Sequence, residues 1–181
     1  MLLGFKTELK LNNQQRTMLA KHAGIARHAW NWGLGLTKQI LNHNQINPEN
    51  KIKFPSAIDL HKWLVALVKP ENPWYYESSK CAPQFALRQL RTAWDDCFKK
   101  KKKPPKFKKK GRVSDSFTLD GTIKVVDHFK IQVPKIGVLR TYERLPFGYK
   151  PKTVTISRKA GSWFISLAIR LRSKLKIRPS K

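Results

Sequence analysis

Long apolar stretches are missing from this sequence. The longest, Trp63 to Val68, spans six residues, against the ~20 a membrane-spanning helix needs. The opening MLLGFKTELK has no cleavage pattern of an export signal, and no amphipathic Lys-rich helix with an exposed aromatic face points to a lipid surface. Cysteine is scarce too: Cys81 and Cys97 lie far apart with no partner thiol nearby. Structural zinc needs ligands paired at close spacing, so these read as buried free thiols of a reducing, cytoplasmic setting. No glycine-rich phosphate loop ends in Lys-Ser or Lys-Thr, because Gly33 and Gly35 fall inside a helical pattern. The five histidines (His22, His28, His43, His61, His128) show neither metal-ligand spacing nor a His-x-His pair. Carboxylates are few, and the close pair Asp95-Asp96 occupies adjacent, divergent helix positions, while Asp120 and Asp127 fall at turns. A two-metal nuclease site needs several carboxylates converging. The expectation is therefore no catalytic residue, no metal ligand and no cofactor within this chain.

What the sequence has is positive charge on a chain able to fold. Its 181 residues are 40% apolar with six Trp and nine Phe, too much for a disordered tail and enough for one domain or two small ones. Lys and Arg number 38 against 11 Asp and Glu, a net of +27. That surplus repels itself, and a polyanion is the simplest compensating partner. It is also concentrated: residues 99–112, KKKKKPPKFKKKGR, carry ten basic side chains and no acidic one. Lys99, Lys100, Lys101, Lys102, Lys103, Lys106, Lys108, Lys109, Lys110 and Arg112 are the expected phosphate contacts, each displacing a counterion. Pro104 and Pro105 stiffen the run and limit the ordering cost of binding. Phe107 reads as an anchor for this loop, with base stacking the alternative.

Residues 3–11 alternate at Leu3, Phe5, Thr7, Leu9 and Leu11 and predict a strand. Asn12 or Asn13 then caps a helix that should break at Gly24, with a second helix following from Ile25, a helix-turn-helix outline. Around that turn stand Lys21, Arg27, His28, Trp30 and Asn31. Arg27 and Asn31, one turn apart, suit guanine and adenine edges; alternatively, Arg27 lays its stem on the surface and Asn31 bonds a neighbouring loop. Residues 42–55 read as a loop, and helices are predicted over about 56–69 and 83–99, with Trp63, Trp94 and Phe98 assigned to packing. Beyond the basic run the period becomes two. Strands are expected at 116–119, 122–126, 130–133 and 137–141, then a hairpin turning at residues 158–161 whose return alternates at Trp163, Ile165, Leu167, Ile169 and Leu171. Since the first strand has no local partner, it should join the later ones. The prediction is an α+β fold: a small antiparallel β-barrel of the wedge, oligonucleotide-binding-like kind, formed by residues 1–11 and 113–181, with an inserted helical domain over 12–98 and a basic linker over 99–112.

Several stretches resemble the TnpB (OrfB) proteins of bacterial insertion sequences: the opening strand with LNNQQRTMLAKHAGIARHAWNWGL, then CAPQFALRQLRTAWDDCFKKKKKPPKFKKKGRVSDSF, IQVPKIGVLR and VTISRKAGSWFISLAIR, in the family's order. The resemblance covers nearly the whole chain, and PPKFKKKG, GIARHAWN and VPKIG are its most specific parts. It implies an RNA-guided DNA endonuclease whose wedge and helical recognition domains hold a guide RNA and read a short duplex motif, base pairing doing the rest. Lys21, Arg27 and Asn31 would then lie near the motif-reading surface, and Lys106, Lys108, Lys109 and Lys110 at the joint between domains. The sequence stops at LKIRPSK, where a full-length member would enter its RuvC-like nuclease domain; the carboxylates, the Mg²⁺ they hold and a zinc ribbon are expected beyond it. A split reading frame completed by a separate chain, a decayed copy or an excised piece would each fit. The competing readings are a free-standing DNA-binding regulator and a general RNA-binding protein of ribosomal type.

Overall fold

Asn12 sets where the first helix begins. Its side chain accepts the Gln15 N–H at 2.8 Å, while the Gln15 side chain accepts the Asn12 N–H at 3.1 Å, a capping box that satisfies amides left open at a helix start. The computed structural model describes residues 2–146, 148 and 150–170. In order they form β1 (Leu2–Lys10), α1 (Asn13–Ile46), α2 (Ala57–Trp63) running on into a π turn (Leu64–Val68), a 3₁₀ turn (Pro73–Glu77), α3 (Cys81–Phe98), and strands β2 (Ser116–Asp120), β3 (Lys124–Asp127), β4 (Lys130–Val133), β5 (Gly137–Thr141), β6 (Thr153–Lys159) and β7 (Ser162–Arg170). Leu171 and the closing LKIRPSK lie outside the described residues.

The turn expected at Gly24 is absent: α1 is one helix of 34 residues that also takes in the first part of the expected loop. Its buried positions explain why. Leu19, Ala23, Ala26, Trp30, Gly33, Thr37 and Ile40 continue one stripe straight past Gly24. A glycine disfavours a helix interior by only about 1 kcal/mol, less than burial of the flanking residues contributes. Gly33 has a different reason to be glycine: a Cβ there would meet Leu87 Cδ2 at 2.8 Å and Leu90 Cδ2 at 2.9 Å. Here α1 and α3 touch almost backbone to side chain.

The sheet is α+β as expected but open, not a closed barrel. Seven antiparallel strands lie in the order β2-β6-β7-β1-β5-β4-β3. β1 is the hinge of this arrangement: Leu2 to Glu8 pair with β7, and Leu9 and Lys10 with β5. Closure would require β2 to meet β3, yet β3 and β4 are only four residues each and their ladder is interrupted between Val125 and Asp127. Too little strand remains to build the stagger a barrel demands. β2 instead lies against α3 and α1. A single apolar cluster runs from Leu34, Leu60, Leu87 and Trp94 of the helices to Phe117, Ile131, Leu139 and Ile165 of the strands. Trp94 packs as expected, whereas Trp63 and Phe98 are 37% and 48% exposed; Phe98 stacks on Trp94 with 5.6 Å between ring centres.

Candidate nucleic-acid interface

The basic segment begins where α3 ends. Lys101 N–H donates to the Asp96 carbonyl at 2.8 Å and Lys100 N–H to the Cys97 carbonyl at 2.9 Å, the paired bonds of a Schellman closure. Lys100 takes the left-handed position of that motif, φ +55°. Lys102 returns to Asp96 at 2.8 Å, and its hydrogen bond holds the Asp96 carboxyl below the ordinary range.

The chain then runs back across α1, and the backbone is what α1 grips. Trp30 Nε1 donates to the Lys106 carbonyl at 3.0 Å. The Asn31 amide bonds Lys108 twice, its Nδ2 donating to the carbonyl at 2.9 Å and its Oδ1 accepting the N–H at 2.8 Å. The Lys108 ammonium sits 3.9 Å from the centre of the Trp30 ring, and that of Lys38 lies 4.9 Å from the centre of Phe107. Burial pulls the Lys108 pKa down, while the aromatic face favours the cation. Pro105 is buried beneath. Beyond the strap, Arg27 Nη1 pairs with Asp115 at 2.6 Å, both largely shielded, and Ser114 Oγ donates to the Arg158 carbonyl at 2.6 Å. Arg27, Asn31 and Lys38 recur at helical spacing on one face of α1, so one stripe fixes the segment from Lys106 to Asp115. Lys99 to Lys103, Lys106, Lys109, Lys110 and Arg112 remain exposed. With their backbone held and most of their ammonium groups outward, they form a cationic strap.

Lys21, Arg27 and Asn31 do share one feature, an open groove of about 440 Å³ also lined by His28, Trp74 and Glu77. Lys21 pairs with Glu77 at 2.6 Å, but both side chains are more than half exposed, so the pair contributes little. Trp74 is 38% exposed and stacks on Tyr75 at 4.5 Å; the Tyr75 hydroxyl bonds His28 Nδ1 at 2.7 Å. Burial pushes the Tyr75 pKa up and the His28 pKa down. Of the alternatives for Asn31, bonding a neighbouring loop is what the geometry has; Arg27 is held by a carboxylate. Trp30 stands among the residues named around the expected turn, whereas Lys38, Trp74 and Asp115 have no part in the sequence expectation. The signal for Lys38 was available, since it continues the Arg27–Asn31 stripe; Asp115 lies 88 positions from Arg27 and gave none.

The metal that the family resemblance implies does not fit the described residues. No group of three or more His, Cys, Asp or Glu among them is placed to hold an ion. Asp95 and Asp127 pair with Arg91 and Lys130, and Asp120 accepts the Cys81 thiol at 2.8 Å. Nor is any described helix long and apolar enough to cross a membrane.

Residues 1–45 match the helix-turn-helix domain of OrfB proteins of the IS605 type; in this chain they form β1 and nearly all of α1. Over 99% of its length the chain is 28% identical to an Escherichia coli (strain K12) protein named "Putative RNA-guided DNA endonuclease InsQ". Over 90% of its length it is 36% identical to a Streptomyces pristinaespiralis protein named "Putative RNA-guided DNA endonuclease". It spans 43% and 40% of those two relatives. A weak structural likeness, TM-score 0.44 at 11% identity, covers 95% of this chain and 49% of a chain in a Cas12f1–sgRNA–target DNA complex. The domain match over residues 1–45 and the two relatives agree with the motifs along the sequence in their likeness to the TnpB (OrfB) proteins, and the chain spans about two fifths of the length of those relatives.

Proposed function

We propose that this chain is a nucleic-acid-binding portion of a TnpB-type RNA-guided DNA endonuclease, gripping guide RNA and a short stretch of duplex DNA. The observation that carries the reading is how the strap is held. α1 bonds the Lys106 and Lys108 carbonyls and the Lys108 N–H, which holds the backbone beside the exposed Lys106, Lys109 and Lys110. A phosphodiester strand meeting such a row displaces counterions without first having to order the loop. Arg27 and Asn31 serve by positioning: they hold the strap and the entry to β2. Lys21 and the Trp74 ring, on the groove beside them, are the groups placed to meet a duplex or an unstacked base. The helical segment 12–98 and the strands of 113–181 would act as recognition and wedge parts, joined by the strap. Cutting belongs to the portion of the relatives that this chain does not span, where metal and carboxylates would come together.

The test is Lys106→Ala, Lys109→Ala and Lys110→Ala together, sparing Lys108 because its ammonium packs on Trp30. RNA and duplex DNA affinity should fall at every sequence, and the slope of log affinity against log salt should flatten by roughly 2–3 for the three lost contacts. An unchanged slope would remove the strap from the interface.

A further inference from the structure

Away from the strap, the helices and the sheet leave an open cleft of about 700 Å³ between the start of α3 and the turns that follow β2 and β4. Lys69, Lys80 and Lys135 line it, with Asp120 the carboxylate among its lining residues, already accepting the Cys81 thiol. Two side chains in this cleft stand out. Lys69 is 7% exposed; its ammonium has no ion-pair partner among the described residues, lies 5.8 Å from the centre of the Tyr76 ring and feels the charge of Lys80. Lysines buried so deeply are normally paired. Ser78 is 4% exposed and its Oγ has no hydrogen-bond partner, an arrangement that leaves a buried hydroxyl without compensation for its lost water. The neighbouring Ser79 N–H donates to His22 Nε2 at 3.0 Å, which fixes the Ser78–Ser79 segment beside it. α3 starts in the same cleft with no acidic residue in its own first turn; the Ser79 Oγ accepts the Cys81 N–H at 3.3 Å, and the Asp120 carboxylate lies at the Cys81 thiol beside the positive end of this 18-residue helix.

We infer that this cleft is a site for a phosphate group, bound by the Lys69 ammonium and the Ser78 hydroxyl with the exposed Lys80 and Lys135 at its rim. Each is a donor to oxygen, and phosphate offers several acceptor oxygens with the charge that a buried lysine lacks here. The source of the phosphate rests on the nucleic-acid-binding reading above: it is one unit of a strand's backbone, held by residues separate from the strap. The anion site itself does not depend on that reading.

The experiment compares the full chain with Lys69→Met and Ser78→Ala, using inorganic phosphate and short RNA and DNA oligonucleotides as probes. Thermal unfolding is followed in phosphate and in chloride at equal ionic strength. Phosphate should raise the native Tm above its chloride value, an increment lost in Lys69→Met and reduced in Ser78→Ala. Oligonucleotide Kd should rise about tenfold in Lys69→Met, with the salt slope reduced by about one. Ser78→Ala should match or exceed the native Tm in chloride, because it removes an unsatisfied hydroxyl, so it carries the test even if Lys69→Met folds poorly. Equal phosphate increments and equal oligonucleotide affinities in all three proteins would overturn the site while leaving the nucleic-acid-binding reading intact. If instead no oligonucleotide binds the native chain but phosphate still protects it in a Ser78-dependent way, the cleft stands as a site for free phosphate and the wider reading falls.

Discussion

His22 is fully buried on α1, with Nδ1 donating to the Met18 carbonyl at 2.8 Å and Nε2 accepting from the Ser79 N–H at 3.0 Å. Both ring nitrogens are used by a neutral imidazole, and a second proton would collide with the Ser79 donor. Burial is the main cause that pulls its pKa below 6.5. The unfolded chain therefore takes up a proton before the folded one does. This contribution to stability is complete above pH 6.5 and drains away as pH falls from there through the folded pKa. His28 and His61 shift in the same direction, both through burial. Tm should decline on acidification below that point, and the decline should be shallower in His22→Leu, which at neutral pH is less stable by about 1–3 kcal/mol because Ser79 loses its acceptor. Parallel pH curves for the two proteins would show that His22 is not the group responsible. In the sequence His22 shows no ligand spacing to its fellow histidines. Its partner is 57 positions away, and no local pattern reports a bond of that span.

Glycine gives the sharpest test among the elements. Gly24 and Gly33 both sit inside α1, but their surroundings differ. A Cβ at Gly24 would meet only the end of Arg27 at 3.9 Å, whereas one at Gly33 would press into Leu87 and Leu90. Gly24→Ala should stabilise the protein by about 0.5–1 kcal/mol, and Gly33→Ala should destabilise it by about 1–3 kcal/mol, both read from denaturant unfolding. Loss of stability in Gly24→Ala would restore the turn that the sequence suggested. That misreading came from treating glycine as punctuation, when the apolar stripe on either side of it stays in phase. The strands were easier: β4 and β5 fall at the expected residues because period-two alternation between turn residues leaves little choice of register. Whether seven strands close is decided by edge geometry and by helices packed against β2, and neither is written in alternation. The basic run was legible as charge; its pinning by Trp30 and Asn31 was not, because all three bonds go to backbone.

Charge and fold are coupled across the whole molecule through that pinning. Asn31→Ala leaves the net charge of +27 untouched, yet releases the strap from α1. Binding should weaken about three- to tenfold through the regained cost of ordering the loop, with the salt slope unchanged, and trypsin should cut within residues 101–110 sooner. A variant that loses slope as well would mean that Asn31 acts through more than the strap. The motifs of the sequence and the two relatives point to the same likeness, and the chain spans about two fifths of the relatives' length. The position of β1 has one more consequence. It lies mid-sheet between β7 and β5, so on the ribosome the central strand emerges before either neighbour exists. It must wait for more than a hundred residues of further synthesis, while α1 and α3 find each other early through shorter-range contacts. Until β7 appears, the nascent chain carries an unpaired strand with both edges open, and that interval is when a chaperone would matter most.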